Sequence, residues 1–265
     1  MTDITFVTGL WDLGRGSLTP SFSRNFLDTY VPQLQMLLST GLQFVVFGDS
    51  NIENIVSEYS NARFVLYAKE EFRKSHEFEE IQRIRTSPIW YDQPDAQWLK
   101  HSPQAGLEYY ATLTFEKIHF VQRASKLNIF NSNRFYWIDA GAPRDTSLDS
   151  IKLLENKLNK YDKFIFLNTM YDCNSEIHGF RRDIMHKICN ASPVNVIGKG
   201  MFCGGPIETI DTMVELHDKY ITEMVQNNCL GTEECIYTIL GYRHPNLICK
   251  IIIPHAGYNY FEFVP

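Results

Sequence analysis

The sequence predicts an α/β protein with a mainly parallel central sheet flanked by helices. Short runs rich in Val, Ile, Phe and Tyr alternate with longer segments of helical periodicity along its 265 residues. Such alternation is typical of strand–helix units, whose strands pair in parallel. The strand runs are almost continuously apolar, which favours a sheet covered on both faces over one with a solvated face.

Six runs carry the strand pattern, and five longer segments carry the helical pattern. The predicted strands are ITFVTGLW from Ile4, FVVFGD from Phe44, ARFVLYA from Ala62, FYWIDAG from Phe135, KFIFLNT from Lys163 and VNVIG from Val194. The predicted helices are Phe22–Ser39, Ala105–Leu127, Ser147–Lys160, Gly179–Cys189 and Thr209–Asn228. Ligands bind such sheets beyond the carboxyl ends of the strands, where Thr8-Gly9, Gly48-Asp49 and Asp139 are expected.

We expect one domain over residues 1–265, because no internal repeat or low-complexity tract divides the chain. The stretch from about Arg73 to Gln104 is more polar than its surroundings and contains Trp90 and Trp98. We interpret this stretch as an excursion near the ligand site and not as a second domain.

Composition and charge exclude several classes of function. The formal net charge of −6 argues against a nucleic-acid or membrane-surface binder, which is normally basic. No run approaches the roughly 18 apolar residues of a membrane span, and the first residues lack the basic flank of a signal peptide. We therefore expect a cytoplasmic protein. The six cysteines include no Cys-x-x-Cys pair, so neither a cysteine zinc site nor a disulfide framework is expected.

The stretch NSNRFYWIDAGAPRD ends an apolar strand on a carboxylate, Asp139, with Ala140 and Gly141 directly behind it. A desolvated charge without a partner is costly, and small residues let another group come close to the backbone. In one interpretation Asp139 holds a divalent cation that bridges a diphosphate. In the other it caps the following turn or helix, and the spacing alone favours this second interpretation.

Three stretches give the chain a family resemblance: NIFNSNRFYWIDAG from Asn128, ITFVTGLWDLGRG from Ile4 and FVVFGD from Phe44. They resemble the WlaTC/HtrL/YibB-like family, which is similar to nucleotide-sugar glycosyltransferases of the GT-A fold. The resemblance implies a single GT-A-like domain that moves a hexose from a nucleotide diphosphate sugar, with a UDP sugar favoured, to a glycan or other hydroxyl acceptor. It also implies a divalent cation, Mn²⁺ or Mg²⁺. The oligomeric state stays open, and a homodimer is one of the alternatives.

The resemblance assigns the cation to Asp139 and His255. GT-A enzymes end a central strand on an Asp-x-Asp motif that binds the metal and the ribose, whereas here Gly141 stands where a second Asp would fall. These enzymes also commonly bring a C-terminal histidine to the metal or the pyrophosphate, and His255 is the best placed of eight histidines. A lone histidine is often a structural residue instead, so that alternative stays open.

The donor site that the resemblance implies comprises Thr8, Gly9, Arg15, Asp139, Gly204 and Gly205. Thr8 and Gly9 would face the base and ribose, and the guanidinium of Arg15 suits a phosphate. Paired glycines at 204 and 205 would let the donor sugar approach the backbone. The alternatives are a surface loop around Arg15 and a plain turn at Gly204-Gly205-Pro206.

Glu233 and Glu234 stand at the predicted start of a helix, for which Thr232 is the N-cap candidate. Acidic residues at this position complement the helix dipole, which explains them without any function. In inverting GT-A enzymes an acidic pair at a helix start often presents the general base to the acceptor hydroxyl. The resemblance therefore implies Glu234, or else Glu233, as the catalytic base.

Two rival functions remain open. Gly48-Asp49-Ser50 resembles the Gly-Asp-Ser block of SGNH-type hydrolases, with Ser50 as nucleophile and Asp183 and His186 as its partners. Against it, the block follows the second predicted strand and not the first. The other rival is a domain that binds a nucleotide sugar or glycan without turnover, which the missing second aspartate favours.

Overall fold

The computed structural model describes residues 3–75, 77–91, 94–172, 176–253 and 260–265. The described residues form nine strands, which lie in one sheet of seven and one hairpin of two. The strands are β1 (Ile4–Leu10), β2 (Phe44–Gly48), β3 (Ala62–Leu66), β4 (Arg134–Ile138), β5 (Phe164–Met170), β6 (Glu176–Ile177), β7 (Phe180–Arg181), β8 (Val196–Pro206) and β9 (Ile248–Ile252).

The large sheet has the order β3-β2-β1-β4-β8-β5-β9. The pairs β1–β2, β2–β3, β1–β4 and β5–β9 are parallel, whereas β8 runs antiparallel to both of its neighbours. The predicted α/β class with a mainly parallel sheet is therefore confirmed.

Nine α-helices are present in the described part of the chain, and they cover both faces of the sheet. They are α1 (Val31–Leu38), α2 (Glu53–Ser57), α3 (Phe78–Arg85), α4 (Pro103–Gly106), α5 (Tyr110–Leu127), α6 (Leu148–Leu158), α7 (Arg182–Cys189), α8 (Ile207–Gln226) and α9 (Glu233–Arg243). Within the described residues, no helix combines the length and the apolar character needed to cross a membrane.

The alternation of side chains along the strands divides the interior into two cores. Val45 and Phe47 of β2 pack in the core under α5, α8 and α9, whereas Phe44 and Val46 pack in the core under α1, α2 and α6. All four side chains are almost fully buried. Both faces of the strands are thus apolar because both are covered, as the sequence pattern predicts.

The largest difference from the sequence prediction is at β8. The run VNVIG predicts a short strand, but β8 continues through Gly198, Gly200, Gly204 and Gly205 to Pro206. Its pairing with β5 skips from Cys203 to Lys199, so residues 200–202 bulge out of that ladder. Glycines are poor strand formers in general, yet they are the residues that a bulge and a close approach of backbones require.

Gly204 offers a stability test of this strand. Its φ is 154°, and a β-carbon there would overlap the carbonyl oxygen of Phe135 on β4. We expect Gly204→Ala to lower the free energy of unfolding by roughly 2–5 kcal/mol, because strain and overpacking add. Urea unfolding of Gly16→Ala is the control, since a β-carbon at Gly16 has no neighbour nearer than 3.8 Å. Equal losses in the two variants would contradict the pairing at Gly204.

Candidate functional site

A cavity of about 390 Å³ opens at the carboxyl ends of β1 and β4. Leu10 and Trp11 line it from the end of β1, and Asp139 lines it from the residue after β4. The start of α9 and the bulged part of β8 close another side. Trp98 and Gln104 of the polar excursion also line the cavity. The volume is in the range of small-molecule sites.

Lys117 of α5 occupies the position next to the strand-end carboxylate. Its Nζ lies 3.0 Å from Oδ1 of Asp139, 3.2 Å from Oε1 of Glu233 and 2.9 Å from the carbonyl oxygen of Gly200. The indole N–H of Trp137 donates to the same Asp139 carboxylate at 2.6 Å. The carboxylate that ends the strand is thus paired inside the protein, by a buried ammonium and an indole.

The two carboxylates keep Lys117 charged. Burial by itself lowers the pKa of Lys117, but the charges of Asp139 and Glu233 outweigh burial and raise the pKa above its ordinary value. The ammonium therefore stays protonated at all ordinary pH values. A fixed positive charge stands where the resemblance implies a divalent cation.

Glu234 lies in a second cluster of charged side chains, beside the first cluster, which Lys117, Asp139 and Glu233 form. Lys199 Nζ is 2.8 Å from its Oε1, the backbone N–H of Gly200 donates to Oε1 at 3.0 Å, and Nδ1 of His178 contacts Oε2. Burial by itself raises the pKa of Glu234. The positive charges and hydrogen bonds of Lys199 and His178 lower it by more, so the pKa lies below its ordinary value. A carboxylate held in this way is a strong orienting group for the imidazole of His178 and a weak base itself.

Arg15 is a partly buried cation of the cavity that contacts no carboxylate among the described residues. Its Nε donates to the carbonyl oxygen of Phe22 at 2.9 Å, and its Nη1 donates to the hydroxyls of Tyr30 at 2.6 Å and Tyr110 at 3.3 Å. The guanidinium also lies over both tyrosine rings. Burial raises the pKa of Tyr110 to about 12, so its hydroxyl is neutral. Arg15 is therefore positioned, charged and available to an anion.

Gly200 allows the two clusters to meet. A β-carbon at this residue would overlap Oε1 of Glu233. Its N–H donates to Glu234 and its carbonyl accepts from Lys117, so one peptide segment joins both carboxylates of α9 to the sheet. The bulge in β8 is what brings this segment to the cavity.

The cavity brings together some of the residues predicted from the sequence and leaves others out. Gly9, Arg15, Asp139, Glu233 and Glu234 all line it. Thr8 is buried inside β1 and does not line it. The predicted second cation ligand, His255, lies outside the described residues.

Gly204 and Gly205 are placed within the sheet and not at the cavity. They pair with Tyr136 and Phe135 of β4, and β-carbons there would overlap or crowd neighbouring strands. The paired glycines let strands and helix approach each other, and the structure gives them no contact with the cavity. Thr232 does precede α9 as predicted, but its side chain makes no capping hydrogen bond.

The hydrolase residues are likewise not assembled. Ser50 is an exposed residue at the start of a short 3₁₀ helix, and His186 lies on α7 with a buried Nε2 that has no partner among the described residues. Neither residue lines the cavity. The geometry gives no support to Ser50 as an activated nucleophile.

Sequence reasoning missed Lys117, Lys199 and His178. Lys117 had a signal, because it stands in the apolar pattern TFEKIHF of a predicted helix, where a lysine needs a partner. His178 and Lys199 had none, because nothing in their spacing indicates that they meet Glu234. Their contacts depend on the β6–β7 hairpin and on the bulge of β8.

Comparison with known proteins adds a family and two distant structures. A family model described as "Bacterial protein of unknown function (HtrL_YibB)" matches residues 2–261. No curated protein matches the chain. Mouse xyloside xylosyltransferase 1, in its apo form, aligns with 94% of this chain and 84% of its own at 7% identity and a TM-score of 0.44.

The second structure is 4-diphosphocytidyl-2C-methyl-D-erythritol synthase from Anaerococcus prevotii DSM 20548. It aligns with 99% of this chain and 94% of its own at 11% identity and a TM-score of 0.42. Both likenesses are too distant to carry an argument about activity.

Proposed function

The chain belongs to the HtrL_YibB family, and we propose that it is a glycosyltransferase that uses a nucleotide diphosphate sugar. A UDP sugar is the preferred donor, and a glycan or another hydroxyl compound is the acceptor. The observation that carries the proposal is the cavity at the carboxyl ends of β1 and β4, which combines a cation without a carboxylate partner with a histidine–carboxylate pair.

Arg15 is proposed to bind the diphosphate of the donor. Its guanidinium is fixed by Tyr30 and Tyr110, so little ordering is needed when an anion binds. Gly9 lines the same cavity and is proposed to face the nucleoside, while the ring of Trp11 fills the place that a side chain at Gly9 would take. The positive charge of Arg15 would stabilise the leaving nucleoside diphosphate as the bond to the sugar breaks.

His178 is proposed as the general base, with Glu234 as the residue that orients it. Nδ1 of His178 contacts Glu234, which leaves Nε2 as the nitrogen that can take a proton. The rings of Tyr171 and Trp98 pack edge-on against the imidazole. Nε2 would accept the proton of the acceptor hydroxyl while its oxygen forms the new bond to the anomeric carbon. In this proposal Glu234, which the resemblance implies as the base, positions the base and does not itself take the proton.

The residues described around Asp139 do not fit a Mn²⁺ or Mg²⁺ ion. The carboxylate of Asp139 already binds the ammonium of Lys117 and the indole of Trp137, and Glu233 shares the same ammonium. An ion at this position would have to stand beside a buried positive charge. The proposed transfer therefore uses the fixed cations of the chain, and no step is assigned to a metal at Asp139.

A screen of donors tests the proposed function. Thermal stability of the protein is measured with UDP, GDP, dTDP and ADP sugars, because a bound ligand raises the apparent stability. The donor that stabilises the protein is then incubated with acceptor mixtures, and nucleoside diphosphate release and the transferred sugar mass are measured. Stabilisation without turnover in any mixture would favour the binding domain, and no stabilisation by any donor would contradict the proposal.

Removal of the guanidinium at Arg15 should weaken binding of diphosphates selectively. We expect Arg15→Gln to raise the Kd of UDP roughly 10–100-fold, as loss of a charged hydrogen bond does, while uridine binds as before. Isothermal titration of both ligands gives the two constants. Arg63→Gln is the matched control, because Arg63 is an exposed guanidinium on β3 that does not line the cavity. Equal weakening of UDP and uridine would show that Arg15 only shapes the loop.

A further inference from the structure

We propose that α5 and α8 together hold a divalent transition-metal ion, with Zn²⁺ as the reference ion, through His119, His217 and Asp218. The three residues offer one ligand atom each, and these atoms lie within 4.8 Å of one another. None of the three lines the cavity described above, so this site is separate from the proposed transfer.

The distances among the three side chains suit a shared ion. Nε2 of His119 lies 2.8 Å from Oδ1 of Asp218, and Nδ1 of His217 lies 3.4 Å from the same oxygen. The two imidazole rings stand at 78° with centroids 5.5 Å apart, so they converge on the carboxylate from different directions. Zn²⁺ binds histidine nitrogens and carboxylate oxygens at about 2.0–2.2 Å, so small side-chain movements would complete the three contacts.

The chemical identity of the ligands is also suitable. Two imidazoles and one carboxylate are a ligand set that suits zinc and its neighbours in the first row.

The nitrogen of His119 that does not face Asp218 has a carboxylate nearby. Nδ1 of His119 is buried and has no hydrogen-bond partner within the described part of the chain. Oε2 of Glu116 lies 3.6 Å from that Nδ1, on the far side of the His119 ring from Asp218. Metal-bound histidines commonly donate their second N–H to such a carboxylate. Glu116 therefore stands where the outer support of a metal ligand is expected.

The place of the cluster indicates a structural role. It joins the middle of α5 to the middle of α8, two helices that pack on the same face of the sheet. Asp218 is about half exposed, which gives the ion a path from solvent and leaves a coordination position for water. Lys117 is on α5 as well, so an ion between these helices would fix the helix that supplies the buried cation of the cavity.

Metal titration of the chelator-stripped protein tests the site. We expect one Zn²⁺ per chain by isothermal titration, and a rise in the melting temperature of roughly 5–10 °C at a hundredfold excess over Kd. His119→Gln and Asp218→Asn should each weaken Zn²⁺ binding by at least about 100-fold, and Glu116→Gln by about 10–100-fold. Co²⁺ in place of Zn²⁺ should give visible absorption that disappears in His119→Gln.

The control is Asp211→Asn, which removes an equal charge from the same helix. Asp211 is an exposed partner of Gln122 and Lys126 on α5 and is not one of the three ligands. We expect this variant to bind Zn²⁺ as the parent does. The proposal is overturned if the parent binds no Zn²⁺, or if Asp218→Asn and Asp211→Asn bind it equally. His119 and Asp218 are partly exposed, so their variants should fold even if variants of the buried His217 do not.

Discussion

Replacement of Lys117 by Met is expected to lower the free energy of unfolding by about 3–5 kcal/mol. The ammonium is the shared partner of Asp139 and Glu233, and its removal leaves a buried carboxylate at Glu233 without its counter-charge. Met fills nearly the same volume, so the loss reports charge and not packing. Urea unfolding followed by tryptophan fluorescence measures it.

Three comparisons make the Lys117 result specific. Lys126→Met is the matched control, because Lys126 is an exposed lysine of the same helix whose Nζ lies 3.7 Å from Oδ1 of Asp211. This control should lower the free energy of unfolding by less than about 1 kcal/mol. The double variant Lys117→Met with Glu233→Gln should recover part of the loss. Mg²⁺, which prefers oxygen ligands, should stabilise Lys117→Met and leave the parent unchanged. Similar losses in Lys117→Met and Lys126→Met would show that the buried cluster contributes little.

Replacement of His178 by Gln is expected to reduce turnover by about 10²–10⁴-fold, as loss of a general base typically does. The donor Kd should stay nearly constant, because in the proposed function the base acts on the acceptor hydroxyl and Arg15 is the residue that binds the donor. Initial rates of nucleoside diphosphate release at saturating donor measure the effect. The melting temperature of the variant confirms that it is folded.

The pairing of His178 with Glu234 has its own test. If Glu234 acts by orienting His178, the single variant Glu234→Gln should turn over more slowly than the parent. The double variant that carries both His178→Gln and Glu234→Gln should then be no slower than His178→Gln alone. Ser50→Ala should retain the parent rate, because Ser50 does not line the cavity. A double variant whose losses multiply would mean that Glu234 takes the proton itself, as the sequence resemblance implies.

The strands and helices were predictable where a single period dominates the sequence. The runs at Ile4, Phe44 and Phe135 became β1, β2 and β4 because their side chains are buried on both faces. The full length of β8 was not predictable, because the glycines that follow the run VNVIG favour loops locally and only their neighbours on β4 and β5 make them necessary. Tertiary packing, and not local preference, therefore determines how far β8 extends.

The site was predictable at the ends of strands and unpredictable in its pairings. Asp139 and Gly9 follow from the rule that ligands collect at the carboxyl edge of a parallel sheet. The partner of Asp139 did not follow, because a residue on α5 meets it only after α5 packs beside β4. A carboxylate at the end of a buried strand indicates that a cation lies nearby. The sequence does not distinguish a metal ion from a lysine in that position.

The position of β8 in the sheet has a consequence for the growing polypeptide. During synthesis β1, β2, β3 and β4 leave the ribosome well before β8, which is the strand that covers the free edge of β4. Until residue 206 has emerged, the aromatic strand at Arg134–Ile138 presents an open edge to other chains, and such edges promote association. The antiparallel strand thus makes the N-terminal half of the protein dependent on a segment translated later, and a chain interrupted before β8 is complete is a candidate for chaperone binding.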